Sequence, residues 1–140
     1  MAQVAVSEAV DQLLGELAEA WNAGDAQGYG ARFCPDATIT NTDGTVDVGR
    51  DVFVRHAEEA FQGVLAGTTL SLAVRKLRLV RPDVAVADLD LRISGMPVPA
   101  PGASNESGGE MRTSLMLVLV AEDGSWWITA QHNVVQSAGD

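Results

Sequence analysis

Arg112-Thr113-Ser114-Leu115-Met116-Leu117-Val118-Leu119-Val120 sets Leu115, Leu117 and Leu119 against Met116, Val118 and Val120 with a period of two. That period defines a strand, and a strand apolar on both faces must be covered on both. Working outward, the same period runs through Thr69–Val80 and Val84–Ser94, joined by Arg81-Pro82-Asp83. It returns in Met111–Ala121 and Trp126–Gln136, joined at Glu122-Asp123-Gly124-Ser125, so the chain holds two long antiparallel hairpins. Upstream the period becomes helical: Val10, Leu13, Leu14, Leu17, Ala18 and Trp21 form one apolar stripe. Ser7 reads as its N-cap and Asn22-Ala23-Gly24 as its stop. Asp25 caps a second, shorter helix through about Phe33, which Pro35 ends. A short strand at Ala37–Asn41 turns at Thr42-Asp43-Gly44, and Gly49-Arg50-Asp51 opens a third helix that buries Phe53, Ala57, Ala60 and Phe61. Helices first and long strands afterwards indicate an α+β domain, three helices packed on one face of a curved, mostly antiparallel sheet. Three helices cover one face only, so the other is expected to meet a second copy in a homodimer.

The 140 residues suit a single domain, 1–140. Nine Lys+Arg against nineteen Asp+Glu give a net charge of −10 and a pI near 4.4. Such a surface repels phosphate backbones and anionic lipid, so neither nucleic acid nor a membrane is expected as partner. Cys34 is the single cysteine, which excludes an internal disulfide and a cysteine-cluster metal site; it reads as a small packing residue. With no positively charged leader and no long apolar run, the expected location is cytoplasmic. Gly95–Gly109, rich in proline and glycine between the hairpins, is expected to be a mobile loop.

Phosphate loops, paired-histidine helix motifs and serine elbows are absent, so no metal and no cofactor are expected. His56, at the border of the third helix's stripe, is either hydrogen-bonded to backbone or a proton donor and acceptor facing a cavity. His132 shares a side of the last strand with Trp126, Ile128, Ala130 and Val134, where it is packing or, again, an acid–base group. Trp127, Thr129, Gln131 and Asn133 take the other side. An indole with three neutral hydrogen-bonding groups suits a ligand pocket, the alternative being a solvated face. Trp21 at the end of the first helix is core or pocket wall, and Phe33 and Asn41 complete the expected lining.

Taken in order, Trp21-Asn22-Ala23-Gly24-Asp25, Phe33-Cys34-Pro35-Asp36-Ala37-Thr38, Asp43-Gly44, Gly49-Arg50, His56 and Phe61 resemble the nuclear-transport-factor-2-like superfamily of cone-shaped α+β barrels. The resemblance continues through Gly67-Thr68-Thr69-Leu70, Arg81-Pro82-Asp83-Val84 and Gly124-Ser125-Trp126 to His132-Asn133, nearly the whole chain. Within it the chain looks most like the SgcJ/EcaC group, similar in outline to SnoaL-type polyketide cyclases. The resemblance implies an accessory protein of enediyne biosynthesis that holds a polyene or polyketide intermediate and assists an iterative polyketide synthase and its thioesterase. Two other expectations stand beside it: a cyclase or isomerase using His56 or His132, and a non-catalytic scaffold docking through its acidic surface or the 95–109 loop. Ketosteroid-isomerase-like members carry an aspartate base where this chain has Asn41, and SnoaL-like cyclases an acidic base where it has Asn133. A carboxamide cannot take a proton from carbon, so both familiar base positions are neutral here. Oxidoreductase chemistry finds no dinucleotide or flavin signature.

Overall fold

The computed structural model describes residues 2–96, 103–104 and 109–136. Helix α1 (Ala2–Asn22) starts a turn and more before Ser7, which therefore lies inside the helix and caps nothing. The reason is Val6, which extends the buried stripe of Val10, Leu13, Leu14 and Leu17 towards the N-terminus. The helix stops as its sequence requires: Gly24 sits at φ 68°, Gly24 N donates to Trp21 O at 2.9 Å, and Asp25 N donates to Ala20 O at 2.8 Å. This pair of bonds satisfies the last carbonyls in a Schellman turn. No helix is long and apolar enough to cross a membrane among the described residues.

Helix α2 (Ala26–Gly30) is capped by Asp25, whose carboxylate accepts from Gly28 N at 3.0 Å. It ends three residues earlier than the spacing suggested, because Phe33 pairs with Ile128 and opens strand β1 (Phe33–Thr40). Gly30 abuts Val54 of helix α3 (Arg50–Gln62) so closely that a Cβ there would collide with the Val54 Cγ2. Absence of a side chain at Gly30 is what lets α2 and α3 approach.

Strand β2 (Val46–Val48), not assigned from the sequence, pairs antiparallel with β1. Strands β3 (Thr69–Arg81), β4 (Val84–Ser94), β6 (Glu110–Glu122) and β7 (Ser125–Val135) match the expected hairpins to within about two residues at their ends, while the two-residue β5 (Ala103–Ser104) sits beside β6. The main sheet runs β2-β1-β7-β6-β4-β3, antiparallel except for the parallel β1–β7 pair. The cone is open rather than a closed barrel. Its edge strands β2 and β3 do not pair, and the helices fill the hollow between them. Most of the expected mobile loop lies outside the described residues.

Strand β6 divides as its sequence predicts. Leu115, Leu117 and Leu119 are at most 3% exposed against the helices, whereas Met116 is 43% exposed on the outer face. Val134 at 61%, and Val46 and Val48 on the edge strand, continue that outer apolar surface.

Candidate functional site

Helix α3 packs on β1 and β2, and its stripe explains the site. Phe53 is buried, but Ala57, Ala60 and Phe61 are only partly so, because they face a cavity of about 430 Å³. That volume lies in the range of small-molecule sites. The wall on the α1 side is aromatic. The Trp21 ring stands edge-on to Phe61 at 5.1 Å and to Tyr29 at 5.4 Å, and its Nε1 donates to Thr68 Oγ1 at 3.0 Å. Trp21 is thus both core and pocket wall. Burial pushes the Tyr29 phenol far above its usual range, so it faces the cavity uncharged.

At the mouth, the tight turn after β1 (Gly44 N to Asn41 O, 2.9 Å) brings β2 back antiparallel. Thr38 and Thr40 face outward with Val48 and Val46, so Asp47 opposite Ile39 points inward. Asp47 is 4% exposed. Its Oδ1 lies 2.7 Å from Nδ1 of His56, one turn along α3, and its Oδ2 accepts from Asn41 Nδ2 at 3.4 Å. Asn41 is itself held by donation to the carbonyl and hydroxyl of Thr45, at 3.3 and 3.2 Å. A buried carboxylate on Nδ1 keeps that nitrogen protonated and leaves Nε2 to act as base, then as acid once charged. Asp47 was not singled out in the sequence. The available signal was an acidic residue between two valines on a strand, an inversion of the usual outward charge.

Of the residues expected to line a pocket, the structure brings Trp21, Asn41, Gln131 and Asn133 together with His56 around this cavity. Phe33, Trp127 and Thr129 lie elsewhere. Phe33 is fully buried against Phe53, with centroids 4.6 Å apart. Trp127 donates from Nε1 to Glu122 O at 3.2 Å and carries the Arg32 guanidinium over its ring at 5.4 Å. Thr129 hydrogen-bonds the Cys34 thiol, which burial pushes up and that bond partly lowers. The cause of the split is a bulge. Leu119 pairs with Ile128 and Val118 with Ala130, so Thr129 has no partner and the alternation of β7 changes phase there. By the same shift Ile128 is fully buried while His132 is exposed, its Nε2 3.1 Å from Thr40 Oγ1 on the outer face. His132 and Ile128 therefore do not share a side, and His132 does not reach the cavity.

The SnoaL-like domain family matches the chain over residues 10–135. No curated protein matches it. Solved structures match across almost the whole length. One is a cystatin-like-fold domain of unknown function from Nostoc punctiforme, with TM-score 0.79 and 22% identity, covering 95% of this chain and 78% of that one. An NTF-2-like protein of unknown function from Shewanella oneidensis gives 0.75 and 17%, covering 91% and 98%. A scytalone dehydratase candidate from Novosphingobium aromaticivorans gives 0.78 and 12%, covering 97% and 87%. At these identities the likeness shows the fold.

Proposed function

The chain belongs to the SnoaL-like domain family, and from that premise we propose that it is an acid–base catalyst of the polyketide cyclase or isomerase type. The observation that carries this reading is the 2.7 Å contact between Asp47 and His56 at the mouth of an otherwise largely apolar cavity. His56 Nε2 takes a proton from the carbon beside a ketone. The electron pair moves onto the carbonyl oxygen as an enolate, and the imidazolium formed is stabilised by the Asp47 carboxylate. Returning the proton at a different carbon gives isomerisation; attack of the enolate carbon on a second carbonyl, with protonation of the new alkoxide, gives ring closure. The neutral amides at Asn41 and Asn133 do not supply the base, which has moved to the α3–β2 contact.

The test uses 2-tetralone deuterated at C1, a neutral ketone small enough for the cavity, with loss of label in water followed by proton NMR. The native protein is expected to accelerate exchange, and His56→Gln to lower that acceleration about 10²–10⁴-fold. Equal rates for the two proteins would refute the assignment.

A second reading keeps the ligand without turnover: an accessory protein that holds a polyene for an enediyne-type synthase and thioesterase. It draws support from the apolar walls at Phe61, Leu65, Leu91 and Ile93, which suit a conjugated chain. Absence of exchange by the native protein, with saturable polyene binding, would favour it.

The proposal extends to a homodimer through the outer sheet face, where Met116 and Val134 are 43% and 61% exposed. Light scattering is expected to give twice the chain mass for the native protein and the single mass for Val134→Asp. A monomeric native protein would overturn the pairing.

A further inference from the structure

Two polar side chains of the cavity wall, Gln131 and Asn133, and a third beside them on the sheet, Thr113, take no part in the acid–base step. Gln131 is only 6% exposed and lines the cavity, yet its amide makes no side-chain hydrogen bond among the described residues. Asn133, two residues on, lines the same cavity, and its Oδ1 is buried without a partner. Thr113 Oγ1, on a fully buried residue, is also unpartnered. Thr113 pairs with Val135 and Leu115 with Asn133, so Thr113 and Asn133 are diagonal neighbours on the inner face. An orphaned buried acceptor such as Asn133 Oδ1 costs about 1–3 kcal/mol, and with the unbonded Gln131 amide on the same wall it points to a ligand that satisfies both. The cavity's charges set the class of that ligand. Its ionisable lining is Asp43, Asp47, His56 and Tyr29, with no Lys or Arg among the described residues. A carboxylate or phosphate entering it would lose water and gain no counter-charge.

We propose that Gln131 and Asn133 form an oxygen-reading subsite that selects an uncharged, hydroxyl-bearing ligand and rejects its anionic analogue. A hydroxyl both donates and accepts, so it meets an amide whichever end is turned towards it. The two side chains stand on the same face of β7 about 7 Å apart, so they address separate oxygens on one ring or chain. This subsite deepens the acid–base reading by naming what the cavity takes, and it is measured by binding alone.

The experiment is equilibrium dialysis of the native protein at neutral pH against 2-naphthol, naphthalene and 2-naphthoate. 2-Naphthol is expected to bind about ten-fold more tightly than naphthalene and more tightly still than 2-naphthoate. Gln131→Leu and Asn133→Leu are each expected to bring the naphthol-to-naphthalene ratio down towards one while naphthalene binding is retained. Tetralone exchange is read in parallel on the native protein, so selectivity without proton exchange sinks the catalytic reading and leaves the subsite standing. Naphthoate binding as tightly as naphthol in the native protein, or a ratio unmoved by both leucine variants, overturns the subsite. The comparison of the three probes on native protein holds even if a variant fails to fold.

Discussion

Phe33→Ala is expected to lower the unfolding free energy by about 3–5 kcal/mol, the range for removing a large aromatic ring from a packed core. Urea denaturation of the two proteins measures it, with the midpoint falling and the slope unchanged. The expectation follows from position. Phe33 is fully buried, packs on Phe53 at 4.6 Å and on Tyr29 at 6.4 Å, and is anchored by pairing with Ile128. Sheet and helices hold it from both sides, so the space left cannot collapse. Were Phe33 the pocket wall its sequence position suggested, deletion would only enlarge a space that is already open. A loss below about 1 kcal/mol would return it to that role.

Asp47→Asn is expected to reduce tetralone exchange about 10²–10⁴-fold while leaving the fold intact. The amide keeps the size of the carboxylate but not its charge, so the imidazolium formed during proton transfer loses its stabilising partner. An amide can also turn its NH₂ towards Nδ1, which then shifts the His56 proton to Nε2 and leaves that nitrogen unable to act as a base. Nitrogen-15 shifts of the His56 ring read that tautomer directly. Unchanged shifts together with an unchanged rate would show that Asp47 merely fills space. Because Asp47 is 4% exposed and also accepts from Asn41, circular dichroism should accompany the rate measurement.

The long hairpins were legible because β4 and β6 each carry an unbroken two-residue alternation, which β3 keeps on either side of its irregularity at Arg75, and α1 because its leucines hold to one face. Ser7 misled because a good capping residue looks the same inside a helix as at its start; only the burial of Val6 decides. Strand β2 escaped notice because it has three residues and exposes both its valines. The bulge at Thr129 was invisible for a different reason. Nothing in Trp126-Trp127-Ile128-Thr129-Ala130 breaks a strand, so the alternation was carried through, and pocket and non-pocket residues were placed on one face. The Asp47–His56 pair depends on how a turn, an edge strand and a helix meet, which no periodicity encodes. Gln131, Asn133, Asn41 and His56 were legible as polar residues at positions where chemistry of some kind was needed; their partners were not.

Thr129 gives β7 a point at which inside and outside exchange places. Flattening the bulge with Thr129 kept, so that it paired with Val118, would turn everything downstream over, presenting His132 and Val134 to the hollow and sending Gln131 and Asn133 to the exterior. Deleting Thr129 would instead leave Ala130 on Val118 and Gln131 on Leu117 as they are. What the chamber recognises therefore hangs on a register, one surplus residue deciding which of two interleaved sets of side chains it meets, and a slip there would cost more than the loss of the residue itself.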